Sequence, residues 1–571
     1  MLILRKALRL SILLALLAVP ALAKDPAPAA APNAAANADG VLKVTKTPVK
    51  IETGLVRGLV VGDTNDIQLY RGVPFAAPPV GELRWKAPQP AKGWDGIREC
   101  YTFGAASPQK AVPFISAFAG MGLDAPMNED CLYLNVWAPV EREHGPLPVM
   151  VWIHGGGYTM GAGSQRLYEA TDLARRGAVV VSINYRLGPL GFFAHPQLSA
   201  EDEHGVSGNY GLLDQIEALR WVQRNIAVFG GDPNRVTIFG ESAGGGSVFS
   251  LLVSPLTKGL FHRAIAQSGP ALNFAHLKKT HYGFQSAEDA GVEFAKSCGA
   301  PEGDGQLAAL RAMSPEKLLK TAPTLEGGPR TFTMRANMLK LAPVVDGYVL
   351  PDDVMTILSE GRQHPVPLIV GANKDEATIF ALMGVMPKGV EDLKASLEQN
   401  LGVQLATNML ELYPTKTAAD VRRTVTELMG DFLFVAPARY VASSMRHAKA
   451  PAYMYHFAHP PAGVTGRSFG AHHGAEVPYI LGNLELAGSD VTPNDEEIAS
   501  ALANYWVQFA ATGNPNREGQ PNWPQYDPAT DECLLVNDKI CVEQGLRKAR
   551  LDIMDAFMEA WRKETGVSSG K

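Results

Sequence analysis

One stretch limits the folds open to this chain more than any other: Val236-Thr237-Ile238-Phe239-Gly240-Glu241-Ser242-Ala243-Gly244-Gly245-Gly246. Strand-favouring residues run into Gly-x-Ser-x-Gly, and an apolar helical pattern (Val248, Phe249, Leu251, Leu252) follows at once. A serine on so sharp a strand-to-helix turn sits in strained backbone, with its Oγ clear of the sheet. Gly240 and Gly244 flank it because a Cβ at either place would collide with the neighbouring strand or helix. Ala243 opens a helix whose first N–H groups have no partner inside it and whose dipole favours negative charge there. The bland alternative is a small-residue turn packed against a sheet. The strand before it and the helix after it argue against that.

The surrounding pattern supplies the sheet. Pro148 to Ile153 and Ala178 to Ile183 are apolar on both faces, as buried parallel strands are. Between the second of these and the serine strand, Asn209 to Phe229 carries apolar residues at helical spacing (Leu212, Leu213, Ile216, Leu219, Trp221, Val222). Phe261 to Ser268, Pro367 to Ala372 and Ala452 to Phe457 read as further strands; Asp495 to Phe509 and Leu546 to Trp561 read as closing helices. Strand, helix, strand in alternation means a parallel sheet with crossover helices. After Ile153 comes His154-Gly155-Gly156-Gly157-Tyr158. Three glycines after a buried strand let backbone N–H groups approach an anion, such as a tetrahedral intermediate. His154 reads as a structural residue at the strand end.

The first residues read as a targeting segment. Arg5, Lys6 and Arg9 precede an apolar run from Leu10 to Val19, and Pro20-Ala21-Leu22-Ala23 ends in a small-x-small site, so residues 1–23 are expected to be a signal peptide cut after Ala23. The run is too short to span a bilayer, and Ala/Pro-rich residues 24–43 read as a disordered leader. The mature protein is therefore expected to be secreted or periplasmic, with no stable membrane anchor. A formal charge of −6 over 571 residues gives no hint of nucleic-acid binding. Nothing in the sequence sets the oligomeric state.

Three further segments carry a family resemblance: Tyr70-Arg71-Gly72-Val73-Pro74-Phe75-Ala76, Pro78-Pro79-Val80-Gly81-Glu82-Leu83-Arg84-Trp85, and Asn128-Glu129-Asp130-Cys131-Leu132-Tyr133-Leu134-Asn135-Val136-Trp137. With the serine motif they resemble the type-B carboxylesterases, a family that includes the cholinesterases. The resemblance runs from about residue 45 to the C-terminal helix. It implies an α/β-hydrolase fold over residues 44–565 as a single domain: a mostly parallel central sheet flanked by helices, with loop and helix insertions over the active site. It further implies a buried Arg84–Glu129 ion pair and an oxyanion hole built from the N–H groups of Gly156, Gly157 and Ala243.

The acid and base of the triad should follow the serine in chain order. That order makes Asp214, which precedes Ser242, a structural residue. Past the strand at Pro367–Ala372 stands Asn373-Lys374-Asp375-Glu376; the family pattern puts the acid at Glu376, with Asp375 the rival. Among 13 histidines, His-Gly-x-Glu matches the family at His473, with His472 the neighbour that competes. Ser268 and Glu241 are expected to support the triad, Ser268 by hydrogen-bonding its acid. The region from Leu272 to about Ala342 (His276, His281, Phe284, Phe332, Met334, Met338) is expected to shape the pocket and is the least readable part.

Five cysteines (Cys100, Cys131, Cys298, Cys533, Cys541) leave an odd thiol. Where the family pairs Cys131 this chain has Ser107, which leaves Cys100–Cys131 as one candidate bridge. Taking Val536-Asn537-Asp538 as a hairpin loop would set Cys533 opposite Cys541 as another. No Cys/His cluster has metal-ligand spacing, and no metal or cofactor is expected. The expectation is an exported serine hydrolase that cleaves small-molecule carboxylic esters through an acyl-enzyme. Ser242 is the nucleophile, His473 the base and Glu376 the acid. Thioester, amide or carbamate cleavage is the alternative, and a non-catalytic cholinesterase-like binding module the more distant one.

Overall fold

The computed structural model describes residues 43–110, 122–123, 125–141, 145–271, 275–280, 285–322, 341–382 and 386–565. The expected signal peptide and most of the expected leader lie outside them, as do Phe114, Phe118, Phe274, His281, Phe284, Phe332, Met334 and Met338.

Eleven strands form one large sheet: β1 (Leu59–Val61), β2 (Ile67–Pro74), β3 (Tyr133–Pro139), β4 (Leu147–Ile153), β5 (Val179–Ile183), β6 (Gly231–Glu241), β7 (Arg263–Gln267), β8 (Leu368–Asn373), β9 (Ala452–Phe457), β10 (Glu532–Val536) and β11 (Ile540–Gln544). Their order across the sheet is β11-β10-β9-β8-β7-β6-β4-β5-β3-β2-β1. Every pairing from β5 through β10 on that path is parallel, and antiparallel pairs close both margins. A separate three-stranded sheet holds Val49–Ile51, Gly54–Arg57 and Ile97–Glu99.

Alternation along the central strands explains the layering. Val149, Val151 and Ile153 of β4 face one core with α1 (Tyr210–Asn225) and α2 (Ala243–Val253). Met150 and Trp152 face the other core, with the long helix that contributes Trp506 and Phe509. Both faces are covered, which is why these strands read as continuous apolar runs. In chain order the later helices used below are α3 (Asp420–Gly430), α4 (Ala436–Ser444), α5 (Pro493–Thr512) and α6 (Lys548–Thr565). Thr492 and Asp495 form a reciprocal capping box at the start of α5, which fixes where that helix begins.

Two buried ion pairs tie the fold together, each compensating charges that would be costly to bury alone. Arg84 grips Glu129 through Nε and Nη2 at 2.7 and 2.5 Å, and its Nη1 donates to the carbonyls of Leu310, Arg311 and Met313. Asp214, fully buried, takes two hydrogen bonds from Arg186 at 2.7 and 2.8 Å and one from its backbone N–H, a structural role.

The hairpin differs from the sequence expectation. Val536 pairs with Ile540, so the loop is Asn537-Asp538-Lys539 and Cys533 stands opposite Glu543, with Cys541 opposite Leu535. The one-residue shift leaves the two cysteines diagonal, about 7–8 Å apart by sheet geometry and beyond disulfide reach. All five cysteines are free thiols, including Cys100 and Cys131. Among the described residues no helix is long and apolar enough to cross a membrane.

Candidate active site

Ser242 sits where β6 turns into α2, at φ +59° and ψ −124°, a conformation that L-residues rarely adopt. The turn is this tight because its neighbours are glycines. A Cβ on Gly240 would stand 2.5 Å from the Ile153 carbonyl oxygen, and one on Gly244 only 2.0 Å from the same atom. The Ser242 N–H donates to the Gln267 carbonyl at the end of β7, which anchors the strained residue from the other side.

The loop after β4 lies against the serine. A Cβ on Gly155 would come within 3.0 Å of the Ser242 Cβ. Gly156 and Gly157 take φ of +103° and +60°, so the loop needs glycine there. Among the described residues, no hydrogen bond occupies the N–H of Gly156, Gly157 or Ala243. His154 is buried and stacks on Tyr185 at 4.4 Å; burial pushes its pKa down to about 4.

Glu376 lies just past β8, and its Oε2 is 2.6 Å from His473 Nδ1. Its Oε1 accepts from Ser268 Oγ at 2.6 Å and from the Asn373 N–H at 2.7 Å. The rivals hold other posts. Asp375 accepts from the Ala471 N–H and returns a backbone bond to Ala471, fixing the loop that carries the histidine. His472 places Nδ1 2.9 Å from the His473 carbonyl, and the His472 carbonyl accepts from Asn373 Nδ2.

The far nitrogen of His473 faces another acid. Glu241 Oε1 lies 3.1 Å from Nε2, without hydrogen-bond alignment. Burial opposes a charge on His473, but the carboxylates of Glu241 and Glu376 outweigh it and hold its pKa up at about 9. Burial pushes Glu241 up to about 8, against the pull of His473. The two groups therefore titrate as a pair.

Sequence reasoning gave no role to Glu476, Gln267, Trp506 or Phe434, all found here. Glu476, fully buried, accepts from Asn373 Nδ2 at 2.5 Å and Gln267 Nε2 at 3.2 Å, while Trp506 Nε1 donates to Gln267 Oε1. Burial keeps the Glu476 pKa raised. Phe434 packs on the His473 ring at 4.6 Å, and Phe380 at 5.1 Å. Glu476 was visible as the last letter of His-Gly-x-Glu; the others left no local signal.

A family model described as the carboxylesterase family matches residues 45–554. The chain belongs to the carboxylesterase family. It is 37% identical over 495 residues to the para-nitrobenzyl esterase of Bacillus subtilis (strain 168), covering 85% of this chain and 94% of that protein. It is also 37% identical over 524 residues to the fumonisin B1 esterase of Sphingopyxis macrogoltabida, covering 89% and 91%. A solved structure of a PNB esterase superposes with a TM-score of 0.75 at 35% identity, over 89% of this chain and all of the other. This carboxylesterase is thus a hydrolase with an α/β-hydrolase fold, and the elbow serine, glycine loop and Glu–His pair occupy the C-terminal edge of its parallel strands.

Proposed function

We propose that the protein is an exported serine esterase that cleaves neutral carboxylic esters through an acyl-enzyme on Ser242. The observation that carries this is the 2.6 Å contact between Glu376 and His473, whose ring also faces Glu241, the residue just before a serine on a strained elbow. Glu376 accepts the Nδ1 proton, which leaves Nε2 as the lone-pair nitrogen that takes the Ser242 hydroxyl proton. Ser242 Oγ then attacks the ester carbonyl, and the N–H groups of Gly156, Gly157 and Ala243 take up the oxyanion charge. The imidazolium returns its proton to the departing alcohol. Water, deprotonated by the same nitrogen, then releases the acid from Ser242.

Ser268 and the Asn373 N–H both donate to Glu376 Oε1, leaving Oε2 to orient the imidazole. With serine, base, acid and open backbone donors all present, a purely adhesive role has no support. The test is labelling with a fluorophosphonate, alongside turnover of p-nitrophenyl butyrate. The expected result is one label per chain, on Ser242, and loss of both label and turnover in Ser242→Ala. Retained turnover in that variant overturns the reading.

A further inference from the structure

Between α3 and α4 the helix widens into a π turn over Asp431–Val435. Such turns are rare, single-turn insertions in otherwise α-helical runs, and they gather at functional sites. This one projects Phe434 onto the His473 ring at 4.6 Å, while Phe380, across the ring pair at 6.1 Å, packs on the imidazole at 5.1 Å. The residue before the turn is Gly430, whose added Cβ would stand 3.2 Å from the Glu376 Cβ. One short stretch therefore touches both the imidazole and the acid.

Two polar residues outside the triad hold that stretch. Asp431, at the first position of the π turn, has no exposed side-chain surface. It accepts from Arg547 Nη1 and, at 2.7 Å, from the Tyr413 hydroxyl. Arg547 also donates Nη2 to the Lys374 carbonyl at 2.8 Å, two residues before Glu376. The guanidinium thus bridges the π turn and the loop of the acid. Its backbone sits at φ +49°, an unfavourable region for a residue other than glycine. A buried ion pair adds little net stability, but it fixes geometry where removing one partner leaves a charge unmet.

We propose that Asp431 and Arg547 are positioning residues for His473. Their pair locks the π turn in the register that lays Phe434 on the imidazole and Gly430 against Glu376, and the Arg547–Lys374 bond ties the same turn to the acid's loop. Neither touches substrate. If the turn relaxes to α-helix, one residue of excess must be absorbed, and each side chain beyond it rotates by about 100° about the axis. Phe434 then leaves the ring, and the imidazole gains freedom about its single hydrogen bond to Glu376.

The inference rests on the proposed role of His473. Its test uses the full-length enzyme with Arg547→Met, Arg547→Lys, Asp431→Asn and, as a control, Arg439→Gln. Arg439 binds Asp531, Asp552 and Asp555 and so anchors α6 to α4 away from the histidine. Active sites are counted by fluorophosphonate titration, and kcat, KM and the rate of Ser242 phosphonylation are measured per titrated site. Arg547→Met and Asp431→Asn are expected to lower kcat by about 10- to 100-fold, the scale of a sub-ångström to 1 Å misplacement, with KM held within about twofold. Phosphonylation should slow by the same factor. Arg547→Lys, which keeps the charge near Asp431, should recover most of the loss. Arg439→Gln should lower the melting temperature but leave kcat per site unchanged.

A wild-type kcat per site in Arg547→Met overturns the inference. If that variant does not fold, Asp431→Asn, which keeps the side-chain shape and the Tyr413 bond, decides on the same criterion. An equal fall in kcat in Arg439→Gln also overturns it, because the effect would then be general loosening. Failure of the underlying catalytic reading shows separately, as turnover that survives Ser242→Ala.

Discussion

Glu241 Oε1 and His473 Nε2 stand 3.1 Å apart, on the side of the imidazole opposite Glu376. The ring that, on the proposed mechanism, must be neutral to take the serine proton is therefore flanked by two carboxylates. Both favour the imidazolium, and together they overcome burial. An ordinary imidazole would place the acid limb of kcat/KM at about pH 6–7. Here the two carboxylates hold the His473 pKa above its ordinary value, so activity should fall with decreasing pH along a limb above that ordinary range. Glu241→Gln removes one of the two charges and lowers the His473 pKa. Its limb should move down by about one to three pH units, which keeps the variant active in more acidic buffer. The pH profiles of both enzymes check this; a limb that does not move contradicts the electrostatic account.

Removal of the proposed triad members should rank by chemical role. Ser242→Ala and His473→Ala should each lower kcat by about 10⁶, and Glu376→Gln by about 10⁴, the scale found for nucleophile, base and orienting acid in other serine hydrolases. His472→Ala should be far milder, because its Nδ1 is taken up by the His473 carbonyl and not by the Glu376 carboxylate. Single-turnover kinetics on the four variants make the comparison. Inactivity of His472→Ala with full activity of His473→Ala would reverse the assignment.

Gly244→Ala tests the elbow itself. The new methyl would lie 2.0 Å from the Ile153 carbonyl, a backbone atom of a central strand that cannot swing aside. A destabilisation of about 1–3 kcal/mol or more is expected, since a buried site this tight has no room for a methyl. Urea midpoints give the answer.

How much of this could be read from the chain follows the range of each constraint. The elbow is local: the clash between Gly244 and Ile153 is implied by Gly-x-Ser-x-Gly wherever a strand and helix flank it. Arg84–Glu129 and the contact of His473 with Glu376 rather than Asp375 were legible only through motif order, since nothing chemical separates adjacent carboxylates. What stayed hidden is long-range. Gln267, Asn373, Glu476 and Trp506 meet through side-chain bonds that span up to 239 positions. The π turn has no signature in Asp431-Phe432-Leu433-Phe434-Val435, because an inserted residue shows only in what it touches. The hairpin loop lies one residue later than expected, a two-residue change in pairing, for a related reason. Val536 is buried on the sheet and pairs with Ile540, and that burial overrode a loop placed by turn propensity.

The thiols should behave as five unpaired cysteines with very different access. Burial pushes Cys100 and Cys533 up to about 12, and raises Cys131 and Cys298. Only Cys541, on the exposed edge strand β11, is open to reagent. Iodoacetamide should modify Cys541 alone in the native protein, and all five after denaturation without reductant. Peptide mapping that finds Cys533 or Cys541 in a disulfide would refute the observed register.

Substrate choice follows from what surrounds the histidine. Cholinesterases hold a quaternary ammonium against aromatic faces, chiefly an indole in the loop ending at Glu-Asp-Cys, and each good contact gives about 0.5–2 kcal/mol. Here residues 107–131 hold Phe114 and Phe118 but no tryptophan, and Ile379 stands where those enzymes carry an aromatic ring three positions past Glu376. Tyr158, a candidate for the mouth, is instead buried edge-on to Phe192 at 5.2 Å. Phe380 and Phe434 are committed to the His473 ring. None of these three rings is free to cage a cation, and neutral esters such as p-nitrophenyl acetate or butyrate are the expected substrates. Butyrylcholine and its uncharged isostere 3,3-dimethylbutyl butyrate differ only in the charge, so their kcat/KM values isolate it. The ratio should be near unity. A tenfold preference for the cation, about 1.4 kcal/mol, would mean that an aromatic cage forms over this site after all.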